Sequence, residues 1–215
     1  MEDIVRTITI YAIPVLLAIT LHEAAHGYVA KLFGDTTAFV AGRITLNPMK
    51  HIDPIGTIAV PLFILLASKL AGGPGMMFGW AKPVPVDIGS LRKPKRDMIF
   101  VAGAGPAANL LMAIGWVLFA NVLGYFGSGE DYFYLVAQAG VSVNLVLMAL
   151  NLLPIPPLDG GRIMIGLLPH RASYAFSRIE PYGLMIVIAL MVTQTLHFFL
   201  TPFLQFGVAV LRLFH

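Results

Sequence analysis

What most limits the fold of this chain is a set of long, nearly charge-free apolar runs at residues 7–30, 98–126, 132–153 and 179–214, with a shorter one at 55–71. A helix rises about 1.5 Å per residue, so roughly 20 apolar residues cross the hydrocarbon of a bilayer. The first three long runs reach that length, and the last predicts two helices with a break near Thr201-Pro202. Only 12% of the 215 residues are charged and 58% are hydrophobic, whereas about a quarter of a soluble domain is charged. The pattern predicts an all-α polytopic membrane protein of about five or six membrane helices. No polar stretch is long enough for a separate soluble domain, so residues 1–215 read as one membrane-embedded domain. Its motif-bearing core covers about 7–168 and its C-terminal helices about 176–214.

The irregular segments carry their own signals. The run at 55–71 is short and lies between "HIDPIG" and "AGGPG", both rich in helix breakers. Residues 39–46 and 80–86 alternate and are punctuated by Gly and Pro, which predicts short extended or hairpin stretches. Non-helical backbone at membrane depth is tolerated only where protein or a water-filled cavity satisfies it. The opening "MEDIVR" has two acids against one base, a poor start for a signal peptide, so the first run reads as a retained helix. A net charge of +3 calls for no nucleic-acid partner, and the absence of cysteine excludes thiolate ligands and a cysteine nucleophile.

Within the first run, "HEAAH" matches H-E-x-x-H at His22, Glu23 and His26. Residues four apart share a helix face, so both imidazoles can reach one metal ion. Glu23 lies about 100° round the helix from His22, beside the ligands, where a general base belongs. The bland alternative is a structural His pair with a buried Glu, but burying three such groups without a cation costs several kcal/mol, on the order of 2–7 for each unpaired polar group.

A catalytic zinc site needs a third protein ligand and an open position. Asp35, Asp53, Asp87, Asp97, Asp131 and Glu180 lie in loops, at polar borders or at a helix start. Asp159 is placed differently, directly after the run 132–153, in "NLLPIPPLDGGR". Proline and glycine unwind the helix end there and let a carboxylate turn inward on a stiff loop. At this point the reading of Asp159 as the N-cap of a following helix, "GGRIMIGLL", stays open. Asn109 and Asn144 lie inside apolar helices, where an amide must find a partner; for Asn144 a tie between helices is the simpler role. "GAGP" (residues 103–106) reads as a close helix-packing site, and His51, His170 and His197 read as loop or interface residues.

Together "HEAAH", "GAGPAANL" and "NLLPIPPLDGGR" resemble the signature of the site-2 protease family, zinc metalloproteases that cut substrates within the membrane. The likeness covers roughly residues 16–168. It implies Zn2+ as cofactor, His22, His26 and Asp159 as its ligands, Glu23 as catalytic base, and a transmembrane protein as substrate. It also implies that Asn151 sits beside the active site, positioned to bind substrate or an oxyanion, and that Asn109 ends the glycine-proline motif in a related role. The chain resembles a compact form with no inserted PDZ domain. The run at 55–71 departs from the smallest family core.

A shared ion puts the ligands at one depth. His22 and His26 lie near the C-terminal end of their helix, and Asp159 follows the C-terminal end of its own. Those two ends must share a membrane face, and the two helices at 98–126 and 132–153 contribute two crossings. The run at 55–71 must then contribute none, or be paired with another, which predicts a re-entrant segment. Under the positive-inside bias the basic "LRKPKR" (residues 91–96) faces the cytoplasm, with the ligands toward that side of the cell membrane. Arg178 and Arg212 fit if the last two helices both cross. The rival reading is a membrane ion or metal transporter built on the same His/Glu/Asp cluster, since intramembrane ionisable groups mark ion paths as readily as catalysis. Residues 39–46 and 80–86 could also pair with an unwound substrate as an added strand. Substrate identity and oligomeric state are not legible.

Overall fold

The computed structural model describes residues 2–60, 63, 66, 79–125 and 131–214. Eight α-helices follow one another among the described residues. They are α1 (Glu2–Leu32), α2 (Thr37–Val40), α3 (Pro94–Tyr125) and α4 (Asp131–Asn151), then α5 (Asp159–Leu167), α6 (His170–Ser177), α7 (Gly183–Val192) and α8 (Leu196–Leu211). Five stretches are long and apolar enough to cross a membrane: Val5–Leu32, Pro94–Tyr125, Tyr132–Asn151, His170–Val192 and Leu196–Phe214. At most 44% of the apolar window of any of them is buried within the chain. The remaining apolar surface faces outward, and hydrocarbon is the surrounding that suits it. The protein is an all-α, polytopic membrane protein.

Helix α3 is the centre of the bundle and packs against α1, α4 and α5. Near its start, Met98, Val101 and Ala102 close on Ala30 of α1 and on Leu91. Further along, Ala113 and Val117 meet Leu145 and Met148 of α4 and Leu211 of α8. Ile10 of α1 packs on Val136 and Ala139 of α4. Directions follow from the ends. Arg92 N–H donates to Phe33 O (3.0 Å) and Phe33 stacks on Phe100, so α1 ends where α3 begins and the two are antiparallel. Tyr132 donates its hydroxyl to Thr9 O (3.1 Å), so α4 starts beside the start of α1 and runs parallel to it. The C-terminal ends of α1 and α4 therefore share one end of the bundle, as a common ligand set requires.

That pairing also bears on the segment between α1 and α3. It leaves and returns at one end, and within it Trp80 N–H donates to Gly56 O (3.0 Å), so the chain comes back to where it turned away. The re-entrant segment expected at 55–71 falls mostly outside the described residues. Its described start, Pro54–Ala59, is a π-helical turn capped by Asp53, whose Oδ1 accepts from Ile55 and Gly56 N–H (2.9 and 2.7 Å).

Three expectations change. No strand occurs among the described residues. Residues 39–46 begin in α2 instead, because Asp35 Oδ1 accepts from Thr37 N–H (2.8 Å) and sets up a helical turn, which Gly42 closes at φ +62°. The break in the C-terminal run is at Thr193–Thr195, where Gln194 takes a φ of 56°; Pro202 stays inside α8. The last two helices also do not return Arg212 to the basic end. Lys95 Nζ donates to Leu168 O at the start of α3, whereas Asn121 Nδ2 donates to Phe214 O (2.8 Å) near its far end. The chain between Leu168 and Phe214 thus traverses the bundle an odd number of times. Helix α7 is too short to cross by itself, at about 15 Å for its ten residues.

Candidate metal centre

One face of α3 builds the wall of the site. Val101, Gly105 and Asn109 are spaced by four and point the same way. Val101 O accepts from His26 Nδ1–H (2.7 Å), and Asn109 Oδ1 accepts from His22 Nδ1–H (2.6 Å). A carbonyl can only accept, so the proton on His26 is at Nδ1; Asn109 orients the same tautomer on His22. Both Nε2 lone pairs are left facing inward, 3.0 Å apart. Between the two anchors sits Gly105. A β-carbon there would lie 2.5 Å from His22 Cε1 and from His26 Nε2, so only glycine leaves room for the rings.

The third group arrives on the loop after α4. Ile155 N–H donates to Leu153 O (2.8 Å) and Leu158 N–H to Ile155 O (2.9 Å), which fold the proline-rich stretch tightly. Helix α5 then starts against that loop's own backbone: a β-carbon on Gly161 would be 2.6 Å from Ile155 C. This turns Asp159, the first residue of α5, toward α1. It does not serve as the N-cap, which is Leu158 with no side-chain bond. Asp159 Oδ2 lies 3.2 Å from His22 Nε2 and 3.3 Å from His26 Nε2.

The three residues are 7%, 7% and 5% exposed, and among the described residues Asp159 Oδ2 has no hydrogen-bond donor of its own. Three electron-pair donors packed this closely repel unless a cation lies among them. Ligand atoms about 2.0–2.1 Å from a tetrahedral zinc are roughly 3.3 Å from one another, which matches the separations found. Among the described residues His22, His26 and Asp159 form the one group of three or more such side chains suited to hold a metal ion. Zinc fits this donor set.

Glu23 lies beside it. Its Oε2 accepts from Val84 N–H (2.8 Å). Val84 belongs to a strap at residues 80–87 that lies along α1, close because Gly27 has no side chain: a β-carbon there would be 3.1 Å from Val84 Cγ1. The strap's donors are used inward: Trp80 on Gly56 O, Lys82 on His51 O, Val84 on Glu23 and Asp87 on Asp35 Oδ2. Burial pushes the Asp35 carboxyl up, but the bonds it accepts from Thr37 and Asp87 outweigh this and hold it below its ordinary value.

Asn151 closes α4 and donates Nδ2 to Leu147 O of its own helix (3.0 Å); among the described residues no hydrogen bond joins it to the three ligands. Asn109, buried, faces His22. Sequence reasoning missed the parts played by Val101, Gly105 and Val84, whereas the tie between helices expected of Asn144 is present, with Asn109 Nδ2 donating to Asn144 Oδ1 (3.0 Å). The spacing of Val101, Gly105 and Asn109 was the one signal available. His51 is buried in its loop with Nε2–H donating to Thr45 O (3.1 Å), and His170 and His197 are exposed.

Comparison with known proteins agrees with this geometry. The model of peptidase family M50 matches residues 130–194. A Bacillus subtilis (strain 168) protein named "Putative zinc metalloprotease YwhC" is 40% identical over 211 residues, 94% of this chain and 89% of the relative. Relatives with the same designation and the name Rip2 occur in Mycolicibacterium smegmatis, 30% identical over 186 residues, and in Mycobacterium tuberculosis strain H37Rv, 30% over 187. Each of these two alignments covers 85% of this chain and 66% of the relative. No solved structure matches. A histidine pair and an aspartate gathered below the bundle's end, in a chain this similar to zinc metalloproteases along nearly its whole length, place it in peptidase family M50, the site-2 protease family.

Proposed function

We propose that this protein is an intramembrane zinc endopeptidase that hydrolyses a peptide bond in or near the transmembrane segment of a membrane-protein substrate. The observation that carries this is the convergence of two imidazole Nε2 atoms and a donorless carboxylate oxygen within 3.3 Å of one another, with a glutamate alongside. His22, His26 and Asp159 would hold the zinc. When bound, zinc supplies Lewis acidity to a water and to the scissile carbonyl. Val101 O and Asn109 Oδ1 keep both imidazoles in the ligating tautomer. Glu23 acts as general base. Val84 N–H occupies its Oε2, so Oε1 takes the proton from the attacking water and later yields it to the leaving amine. Asn151, at the end of α4, is the candidate for holding a substrate carbonyl. Membership in a peptidase family favours hydrolysis over ion transport by the same cluster.

The strap makes a poor template for an added substrate strand. Its inward donors are spent, Pro83 and Pro85 have no N–H, and Lys82 O and Pro83 O accept from Arg43 Nη2 (2.8 and 3.3 Å). The basic residues 91–96 sit at the metal-binding end of the bundle, so the active site faces the cytoplasmic side of the cell membrane.

The test is metal content and cleavage of a single-span substrate by purified protein. Wild type is expected to hold zinc and cut. Glu23→Gln should keep the metal and lose turnover by about 10²–10⁴-fold, the usual contribution of a general base, and Asp159→Ala should lose the metal. Wild-type turnover in Glu23→Gln would remove the glutamate from the mechanism.

A further inference from the structure

We infer that Asn144, on α4 and out of reach of the ion, is a positioning residue that fixes the tautomer of His22 through Asn109. The inference rests on His22 being a zinc ligand and extends the site to a second helix. Four polar groups form a line: His22 Nδ1 to Asn109 Oδ1 (2.6 Å), Asn109 Nδ2 to Asn144 Oδ1 (3.0 Å), and Asn144 Nδ2 to Gly140 O (2.8 Å). Both asparagines are fully buried.

An amide has a donor end and an acceptor end, and turning it over exchanges them. The Gly140 carbonyl only accepts, so it pins the Nδ2 of Asn144 and leaves Oδ1 toward α3. That oxygen demands the Nδ2 of Asn109, which in turn leaves Asn109 Oδ1 facing His22. Only a donor can meet it, so the imidazole proton is held at Nδ1 and Nε2 keeps its lone pair for the ion. Were Asn109 to turn over, its NH2 would face Nδ1, the proton would move to Nε2, and a ligand atom would be blocked. Asn109 Nδ2 also reaches Ala18 O, but at 3.4 Å, too long to hold the orientation by itself. The packing that supports the anchor is tight, since a β-carbon on Gly140 would strike the Trp116 indole.

A tie between helices predicts something different from a tautomer relay. Asn144→Leu removes both functions. Asn144→Asp presents an acceptor to Asn109 in either protonation state, and Asn109→Asp, as a carboxylate, presents only acceptor oxygens to His22 and needs no relay. Two quantities are read on full-length protein in detergent: the 15N chemical shifts of His22 in zinc-free protein, which separate the two neutral tautomers from each other and from the imidazolium, and zinc affinity by chelator competition. Wild type, Asn144→Asp and the double variant Asn109→Asp with Asn144→Leu should show Nδ1–H. Asn144→Leu alone should show a mixture of tautomers and bind zinc roughly 10–100-fold more weakly, the usual effect of losing an outer-shell partner. Unmixed Nδ1–H in Asn144→Leu overturns the relay, as does a double variant no better than Asn144→Leu. A wild type that shows Nδ1–H yet binds no zinc overturns the zinc reading and leaves the tautomer relay standing.

Discussion

At Gly105 a single hydrogen atom stands where any other residue would place carbon. The residues four before and four after it on α3 hold the two imidazoles by their Nδ1 atoms, so the rings must pass directly over it. Gly105→Ala would set a methyl 2.5 Å from two ring atoms, closer than carbon and nitrogen can approach. The rings would have to swing away from Asp159. The expected result is loss of most bound zinc with the protein still extracted as a folded membrane protein, checked by metal analysis and size-exclusion chromatography. Full zinc occupancy in Gly105→Ala would contradict the cradle. Glycine at the start of α5 acts similarly, by letting backbone lie on backbone, so that Asp159 is aimed by close packing.

Among the elements, the strap at 80–87 joins Glu23, the proposed general base, to the end of α1. Asp35 anchors it with both oxygens, one on Thr37 N–H and the other on Asp87 N–H, each at 2.8 Å. Asp35→Asn would turn one acceptor into a donor facing a donor, and should cost about 1–3 kcal/mol. Its pH dependence has a definite sign. The folded carboxyl is held below its unfolded value of about 3.9, so the carboxylate stabilises the fold above that value. This contribution is lost as the pH falls through the lower folded value. Thermal unfolding of wild type and Asp35→Asn should therefore differ at pH 7 and converge in strong acid. A gap that stays constant down to pH 2 would exclude the carboxylate as its source.

For the whole molecule, topology decides which face meets the substrate's cut end. The basic residues 91–96 and the metal site share one end, and Phe214 lies by Asn121 toward the other. The chain has no cysteine, so an introduced one is the sole target for a membrane-impermeant maleimide. In intact cells Ser90→Cys should stay unlabelled and Leu213→Cys should react, both positions being exposed in the fold. Labelling of both from one side would break the odd traversal between Leu168 and Phe214.

Run lengths and the scarcity of charge were enough to determine a bundle of membrane helices, because a span depends on consecutive apolar residues and nothing more distant. Likewise, i, i+4 spacing put His22 and His26 on one face, a purely local property of a helix. Asp159 was legible as a candidate from its prolines and glycines, but not its aim, which depends on α5 packing against the loop at 152–156. The break at Thr193–Thr195, the helical turn at Thr37–Val40 and the side on which Arg212 ends were misread; the first two are set by local backbone and side-chain bonds, the last by the distant contact of Asn121 with Phe214 O. Val101 O, Gly105 and Val84 were invisible as parts of the site because their roles depend on packing between segments distant in sequence. Hydrogen bonds and close approaches between residues 35–91 positions apart exist only once the chain has packed, and local sequence carries no record of which partner a buried amide or carbonyl will meet.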